Sequence, residues 1–246
     1  MLTQEDIINK LVQEGLTICG NLTIEEIIIG ESLILVKNSQ STAGLSAAFL
    51  SQKDIKPATI SLKGKKIRDI LPWLFKTSTL KCSIALATFN SLFQNQNFQE
   101  KRVQELLIEI GTNKKLALIG HFPFVHKIKS HFKKCWILEL NPRPGDFPAS
   151  KAKEILPKVD IVAITGTTIL NGTLAEILTF TSSKALKIML GPSTPIGNSL
   201  FSLGFTYLGG AMIDNFQKAK SGIEKNMCFK NLKGTKSVLK TKPSHI

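Results

Sequence analysis

In the second half of the chain, five short apolar runs each give way to a loop of glycine, proline, hydroxyl or acidic residues. The first, KLALIG, is followed by HFPF, which puts His121 directly after Gly120. An imidazole there can bind an anion, exchange a proton or ligate a metal. The competing reading is a histidine that hydrogen-bonds the loop backbone. The second run, CWILEL, ends near Glu139 and opens into NPRPGDFP, where Asn141, Arg143, Gly145 and Asp146 are interleaved with prolines. Proline fixes φ, so this loop holds a cation and an anion with little freedom. Such a pair suits a zwitterionic or carboxylate-bearing ligand. An Arg143 to Asp146 pair that only closes the loop explains the same residues.

The third run, DIVAITG, leads into hydroxyl-rich TTILNGT, with Thr165, Gly166, Thr167, Thr168 and Asn171. Thr173-Leu174-Ala175-Glu176 then matches a capping box, so a helix is expected to start at Thr173. Its first amides, with the hydroxyls before them, offer donors to an anionic group. The fourth run, LKIML, leads into GPSTP, where Gly191, Ser193 and Thr194 repeat that logic with Ser193 and Thr194 as donors. The fifth, FTYL, runs into Gly209 and Gly210. His121 and Asp146 are the acid–base candidates, and His121, Glu139 and Asp146 the only metal-ligand candidates at these strand ends. His126 and His131 are five residues apart and do not stack on one helix face. Ser193 lacks a GxSxG elbow and the cysteines lack a readable partner, so the residues do not establish catalysis.

Short continuous apolar runs separated by helical segments read as parallel strands buried on both faces. In such sheets ligands sit outside the carboxyl ends of the strands, where these residues lie. A dinucleotide fingerprint is absent: one glycine follows KLALI where GxGxxG needs three, which disfavours NAD or FAD bound in the usual way.

Upstream, Gln4 to Gly15 has the spacing of an amphipathic helix, with Gly15 as its stop. Runs at 25–29 and 33–36 are spaced as a hairpin, and 41–44 reads as a small-residue loop. Residues 67–74 form a helix interrupted by Pro72, and 80–93 a helix buried nearly all round. The polar interval 94–99 is the candidate boundary. Beyond it come a helix at 100–110, the five runs, and a last helix from Ile213 to about Glu224. The expected architecture is α/β: residues 1–95 a smaller α+β domain, 96–230 a Rossmann-like parallel-sheet domain, and 231–246 a basic, mobile tail.

The chain has 246 residues, of which 43% are hydrophobic, enough for one large core or two modest ones. No apolar stretch is long enough to cross a bilayer, and the acidic N-terminus does not resemble a secretory signal, so a cytoplasmic location without membrane partners is expected. Cys19, Cys82, Cys135 and Cys228 are scattered without a CxxC pair, which fits neither a disulfide framework nor a zinc site. The net charge of +14 invites a nucleic-acid partner. The excess is spread along the chain and is almost all lysine, with only Arg68, Arg102 and Arg143 as arginines, which disfavours one. Lys127, Lys129, Lys133 and Lys134 make the densest basic patch, and a solvated helix face is its default reading. A homo-oligomer is compatible with the sequence.

GHFPF, ELNPRPGDFPAS, ITGTTILNGTLAEIL and MLGPSTP, in this order and spacing, resemble a family of Rossmann-like domains described as "putative heavy-metal chelation". The preceding region, with Gly44 and ALATFNSL around Asn90, resembles the smaller enolase N-terminal-like domain that commonly precedes it. The resemblance implies a cleft between two domains, lined by the strand-end loops and closed near Thr42, Gly44 and Asn90. It also implies a role in handling heavy metals. Soft metals prefer thiolate and imidazole, which these strand ends barely supply, so an organic chelator or a metal already held by one fits better. The expectation is therefore a cleft that binds a small polar or anionic ligand, with a heavy metal or metal chelate among the candidates. The alternative is a metabolic enzyme acting on a cofactor-like or pterin-like molecule.

Overall fold

The computed structural model describes residues 1–50, 61–96 and 98–243. Helix α1 (Gln4–Ile18) starts with a reciprocal cap, in which the Thr3 hydroxyl accepts from the Asp6 amide and the Asp6 carboxylate accepts from the Thr3 amide. Its apolar stripe, Ile7, Ile8, Leu11 and Val12, is buried. The helix runs through Gly15, contrary to the expected stop, and turns out at Gly20, whose φ of +48° is left-handed. Strands β1 (Ile24–Ile29), β2 (Leu33–Asn38) and β3 (Ala43–Ala47) form an antiparallel three-stranded sheet. The expected loop at 41–44 is therefore only partly a loop, since Ala43 and Gly44 belong to β3. Helix α2 (Ile67–Ile70) passes into a 3-10 turn at Leu71–Phe75 that contains Pro72, and α3 (Leu80–Ser91) is buried at every position but Lys81.

The second sheet has eight strands: β4 (Gln99–Glu100), β5 (Lys115–Ile119), β6 (Lys134–Glu139), β7 (Phe147–Pro148), β8 (Ile161–Thr165), β9 (Leu186–Leu190), β10 (Phe205–Ile213) and β11 (Thr235–Thr241). Their spatial order is β4-β11-β10-β9-β8-β5-β6-β7, parallel from β10 to β7 and antiparallel on both sides of β11. Helices α4 (Val103–Gly111), α5 (Val125–Ile128), α6 (Ala152–Ile155), α7 (Thr167–Leu170), α8 (Leu174–Phe180) and α9 (Phe216–Glu224) complete the fold.

Alternation along the parallel strands sorts their side chains onto two faces. Leu116, Leu118, Ile161, Ala163, Ile188 and Leu190 pack with α4 and α5. Ala117, Ile119, Val162, Ile164 and Met189 pack on the other face with α6, α7 and α8, in a core that also contains α1 and α3. Burial on both faces is why these strands read as unbroken apolar runs.

Two expectations fail here. Strand β10 does not end at Gly209 and Gly210 but runs through them; glycine is needed there for packing, since a Cβ at either would collide with Val103 or Ile196. The stretch expected as a mobile tail at 231–246 is ordered over its described part: Thr235–Thr241 is β11, paired with β10 and β4, with Val238 and Leu239 buried. Residues 244–246 of that stretch lie outside the described residues. The lysines that suggested disorder are fastened, Lys236 to Glu100 at 3.0 Å and Lys240 to Gln96 at 2.8 Å and to the Ile196 carbonyl at 3.0 Å.

Gly44 is where the small sheet meets α3: a Cβ there would lie 2.3 Å from the Ala87 carbonyl and the Ser91 amide. Helix backbone cannot yield as a side chain can. Gly44→Ala is expected to cost about 3 kcal/mol, against roughly 1 kcal/mol for Gly20→Ala, whose penalty is conformational only. Urea denaturation of both variants checks this, and equal losses would contradict the close packing.

Candidate functional site

Strand β5 lies between β6 and β8, so the strand order reverses at β5. The chain leaves β5 through α5 on one face and leaves β8 through α7 and α8 on the other. Loops that part in this way leave a crevice above the carboxyl ends of β5 and β8. A cavity of about 560 Å³ opens there. Its floor is Ile119, Gly120, Leu138 and Thr165 at the strand ends, and its walls come from the loops after β5, β6 and β8, from α8, and from Phe49 beyond β3. Gly120 adopts φ +106°, and a Cβ on it would stand 3.2 Å from the Thr165 methyl, so only glycine makes this turn beside β8 without strain.

His121 is fixed at both ends. Its peptide N–H donates to Glu139 Oε1 at 2.7 Å, while the Leu140 N–H donates to Oε2 at 3.0 Å. Its ring Nδ1 lies 3.0 and 3.2 Å from the Asp146 carboxylate oxygens. Asp146, whose side chain is 2% exposed, also accepts the Arg143 peptide N–H at 3.1 Å. The proline-rich loop thus folds a buried carboxylate back onto the imidazole. With Nδ1 turned to Asp146, Nε2 is the ring nitrogen left for a ligand. The side-chain pair between Arg143 and Asp146 does not form, because Asp146 is taken by His121 and by backbone, and Arg143 is exposed.

The hydroxyl-rich loop mostly satisfies itself. Thr165 and Thr167 hydroxyls are 3.0 Å apart, and the Thr168 hydroxyl donates to the Thr165 carbonyl at 2.8 Å. Helix α8 does begin after Thr173, but without a capping box: the Thr173 hydroxyl donates to Asn171 Oδ1 at 2.7 Å. The Ala175 amide is capped instead by Gln4 Oε1, from α1, at 3.2 Å. Glu176 is thereby released to line the cavity.

Of the residues expected from sequence, Gly120, His121, Glu139, Asn141, Thr165, Thr167, Asn171 and Thr173 line this cavity, and Asp146 stands behind His121. Others lie in a seam between the two sheets. Ser193 Oγ accepts the Ala47 amide at 2.7 Å, Gly166 packs on the Ser193 and Thr194 backbone, and Asn90 Nδ2 donates to the Leu45 carbonyl at 2.9 Å. Thr42 bonds the Ser91 carbonyl at 2.8 Å, and Gly44 abuts α3. The Thr194 hydroxyl and Asn90 Oδ1 are buried without a partner among the described residues. Gly191 and Gly145 shape turns, with φ of +106° and +91°. The sequence reasoning missed Phe49, Phe122, Ser150, Glu176 and Phe180 as wall residues. Glu176 was hidden behind its capping-box role, and Phe49 reaches the site only through the tertiary fold.

The donor set for a heavy metal is poor. Among the described residues no three His, Cys, Asp or Glu side chains converge as metal ligands. Cys19 and Cys82 are buried, Cys135 is half-buried and Cys228 is exposed and alone. Burial pushes the Cys82 thiol up to about 12 and the Cys135 thiol up to about 11, away from the thiolate that soft metals require.

A thiol reagent at pH 8 is expected to modify Cys228 first and to spare Cys82 until denaturant is added. Because the folded Cys82 keeps its proton above the unfolded value, stability should fall as pH rises above about 9, by about 1.4 kcal/mol per unit. Comparison with Cys82→Ala isolates that slope, and parallel pH profiles would contradict the burial.

The family model DUF364, described as "Putative heavy-metal chelation", matches residues 102–240. The model DUF4213, with the same description, matches residues 12–93. An uncharacterized protein of Methanocaldococcus jannaschii is 30% identical over 146 residues, and the match spans 56% of this chain and 56% of that relative. Two crystal structures of DUF364 proteins of unknown function share the fold. The one from Desulfitobacterium hafniense has a TM-score of 0.84 at 22% identity, over 96% of this chain and 98% of its own. The one from Pyrococcus horikoshii has a TM-score of 0.78 at 19% identity, over 96% of this chain and 99% of its own.

Proposed function

This chain belongs to the DUF364 family, and on that premise we propose that the cavity above β5, β6 and β8 binds a small polar organic molecule. A heavy metal enters it only as part of a chelate. The convergence of three strand-end loops on one cavity carries this reading. A volume of about 560 Å³ suits one compact ligand. Key polar groups are fixed in place, His121 by Glu139 and Asp146, and Asn171 by Thr173. Such preorganisation orients a ligand at little entropic cost. The family description points to metals, while the donor set on the walls does not fit a bare soft ion. An organic chelator resolves the two, because it brings its own ligands and presents hydrogen-bonding groups to the protein.

Zinc or nickel alone should leave the melting temperature nearly unchanged, while a matching chelate or organic ligand raises it. At a hundredfold excess over Kd the stabilisation is about 2.7 kcal/mol, which is several degrees for a chain of this size. Ser150→Trp, on an exposed part of the wall, should abolish the shift. Stabilisation by bare metal that Ser150→Trp abolishes would refute the reading.

One observation favours a second reading, that the cavity also transforms its ligand. An imidazole backed by a buried carboxylate is the arrangement of a general base, with Asp146 holding Nδ1 and Nε2 left to exchange a proton. A ligand found in the screen should then yield a product of altered mass. His121→Gln should retain binding while conversion falls by about a hundredfold or more. Unchanged conversion in that variant would remove the imidazole from the chemistry.

A further inference from the structure

Resting on the binding reading above, we infer that the cavity selects a flat ligand bearing a cationic or amine-type donor group, and rejects an anion. On a chain with 32 lysines and arginines and 18 acids, composition alone would put two or three lysine or arginine side chains among twenty wall residues. Among the described residues the wall has none, and it carries the carboxylates of Glu139 and Glu176. Asp146 adds a third carboxylate directly behind His121. Even with the imidazole protonated, the site keeps a negative balance inside a strongly positive protein.

The anion-binding features that the sequence offered are engaged elsewhere or lie outside the wall. Arg143 is exposed outside the wall. The Ala175 amide at the start of α8 is taken by Gln4, and the Thr173 amide by Asn171 at 3.1 Å. Ser193 and Thr194 are buried in the seam with β3 and absent from the wall. What carries charge toward a ligand is acceptor chemistry, from Glu139 and Glu176, beside the neutral hydroxyls and amides of Asn141, Ser150, Thr167 and Asn171. Glu139 is pinned by two backbone amides that fix its position and leave its charge in place. Glu176 forms no ion pair among the described residues.

The shape of the ligand follows from the apolar part of the wall. Phe49, Phe122 and Phe180 line the cavity, and Phe122 is steadied by Phe124, whose ring stacks at 5.4 Å. Aromatic faces favour flat bodies and, through their quadrupole, cations. Carboxylates beside aromatic rings therefore recognise an amidine, guanidine or ring-bound amino group on a planar frame.

Benzamidinium, benzamide and benzoate have nearly the same shape and differ in charge, so they test the inference directly. Binding is followed by calorimetry in the protein and in Ser150→Trp, and only the part lost in Ser150→Trp counts as binding in the cavity. That subtraction removes association of benzoate with surface lysines. The expected order is benzamidinium, then benzamide, then benzoate, with at least tenfold between the ends. Glu176→Gln should narrow that gap at least threefold without lowering the melting temperature. If benzoate binds in the cavity as tightly as benzamidinium, or Glu176→Gln leaves the gap intact, the inference falls while the binding reading stands. If none of the three shows binding that Ser150→Trp removes, both fall.

Discussion

Everything at the candidate site depends on the divergence of the chain on either side of β5. Parallel strands need crossovers, and each crossover must lie on one face of the sheet. Because α5 covers one face and α7 and α8 the other, the loops after β5 and β8 pull apart and leave a cavity between them. The turn at Gly120 follows from this, since the chain must swing away from Thr165 immediately after the strand. So does the position of His121, which the backbone turn places at the edge of the crevice. Glu139 and Asp146 then fix it from the neighbouring loop.

The parts of this arrangement that were legible in the sequence are those with a local cause. Unbroken apolar runs announced β5, β6, β8, β9 and the start of β10, because burial on both faces removes the usual alternation. Their loops pointed to His121, Glu139, Asn141 and Thr165 by position alone. What was not legible depended on partners far along the chain. Thr173 and Glu176 satisfy the capping pattern, yet Gln4 supplies the cap, and no local rule could assign it. Ser193 and Thr194 follow β9 as the others follow their strands, but their loop turns to meet β3 instead of the crevice. Strand β11 was masked by lysines, whose long stems lie along the sheet while their charges reach Glu100, Gln96 and a backbone carbonyl.

The contrast between the protein's overall charge and the charge of the crevice bears on what the family description can mean. A heavy-metal site built from protein ligands needs thiolates or clustered imidazoles, and the thiols here are scattered or kept protonated by burial. The crevice instead combines fixed carboxylates, one oriented imidazole and aromatic walls. On the proposed reading, those groups would discriminate among organic molecules by shape and charge, and a metal would arrive already held by such a molecule.

Helix α1 ties both ends of this design to the order in which the chain is made. Gln4 caps α8, and Glu14 accepts the Asn198 and Ser199 amides that begin the 3-10 turn at Ser199–Leu203, so its polar partners lie about 165 to 185 residues downstream. At ribosomal rates of about 5 to 20 residues per second, that separation amounts to roughly 10 to 35 s of synthesis. Throughout that interval the stripe of Ile7, Ile8, Leu11 and Val12 has only part of its eventual cover. Nascent chains of this protein therefore pass through a period in which an amphipathic segment waits for its receptor.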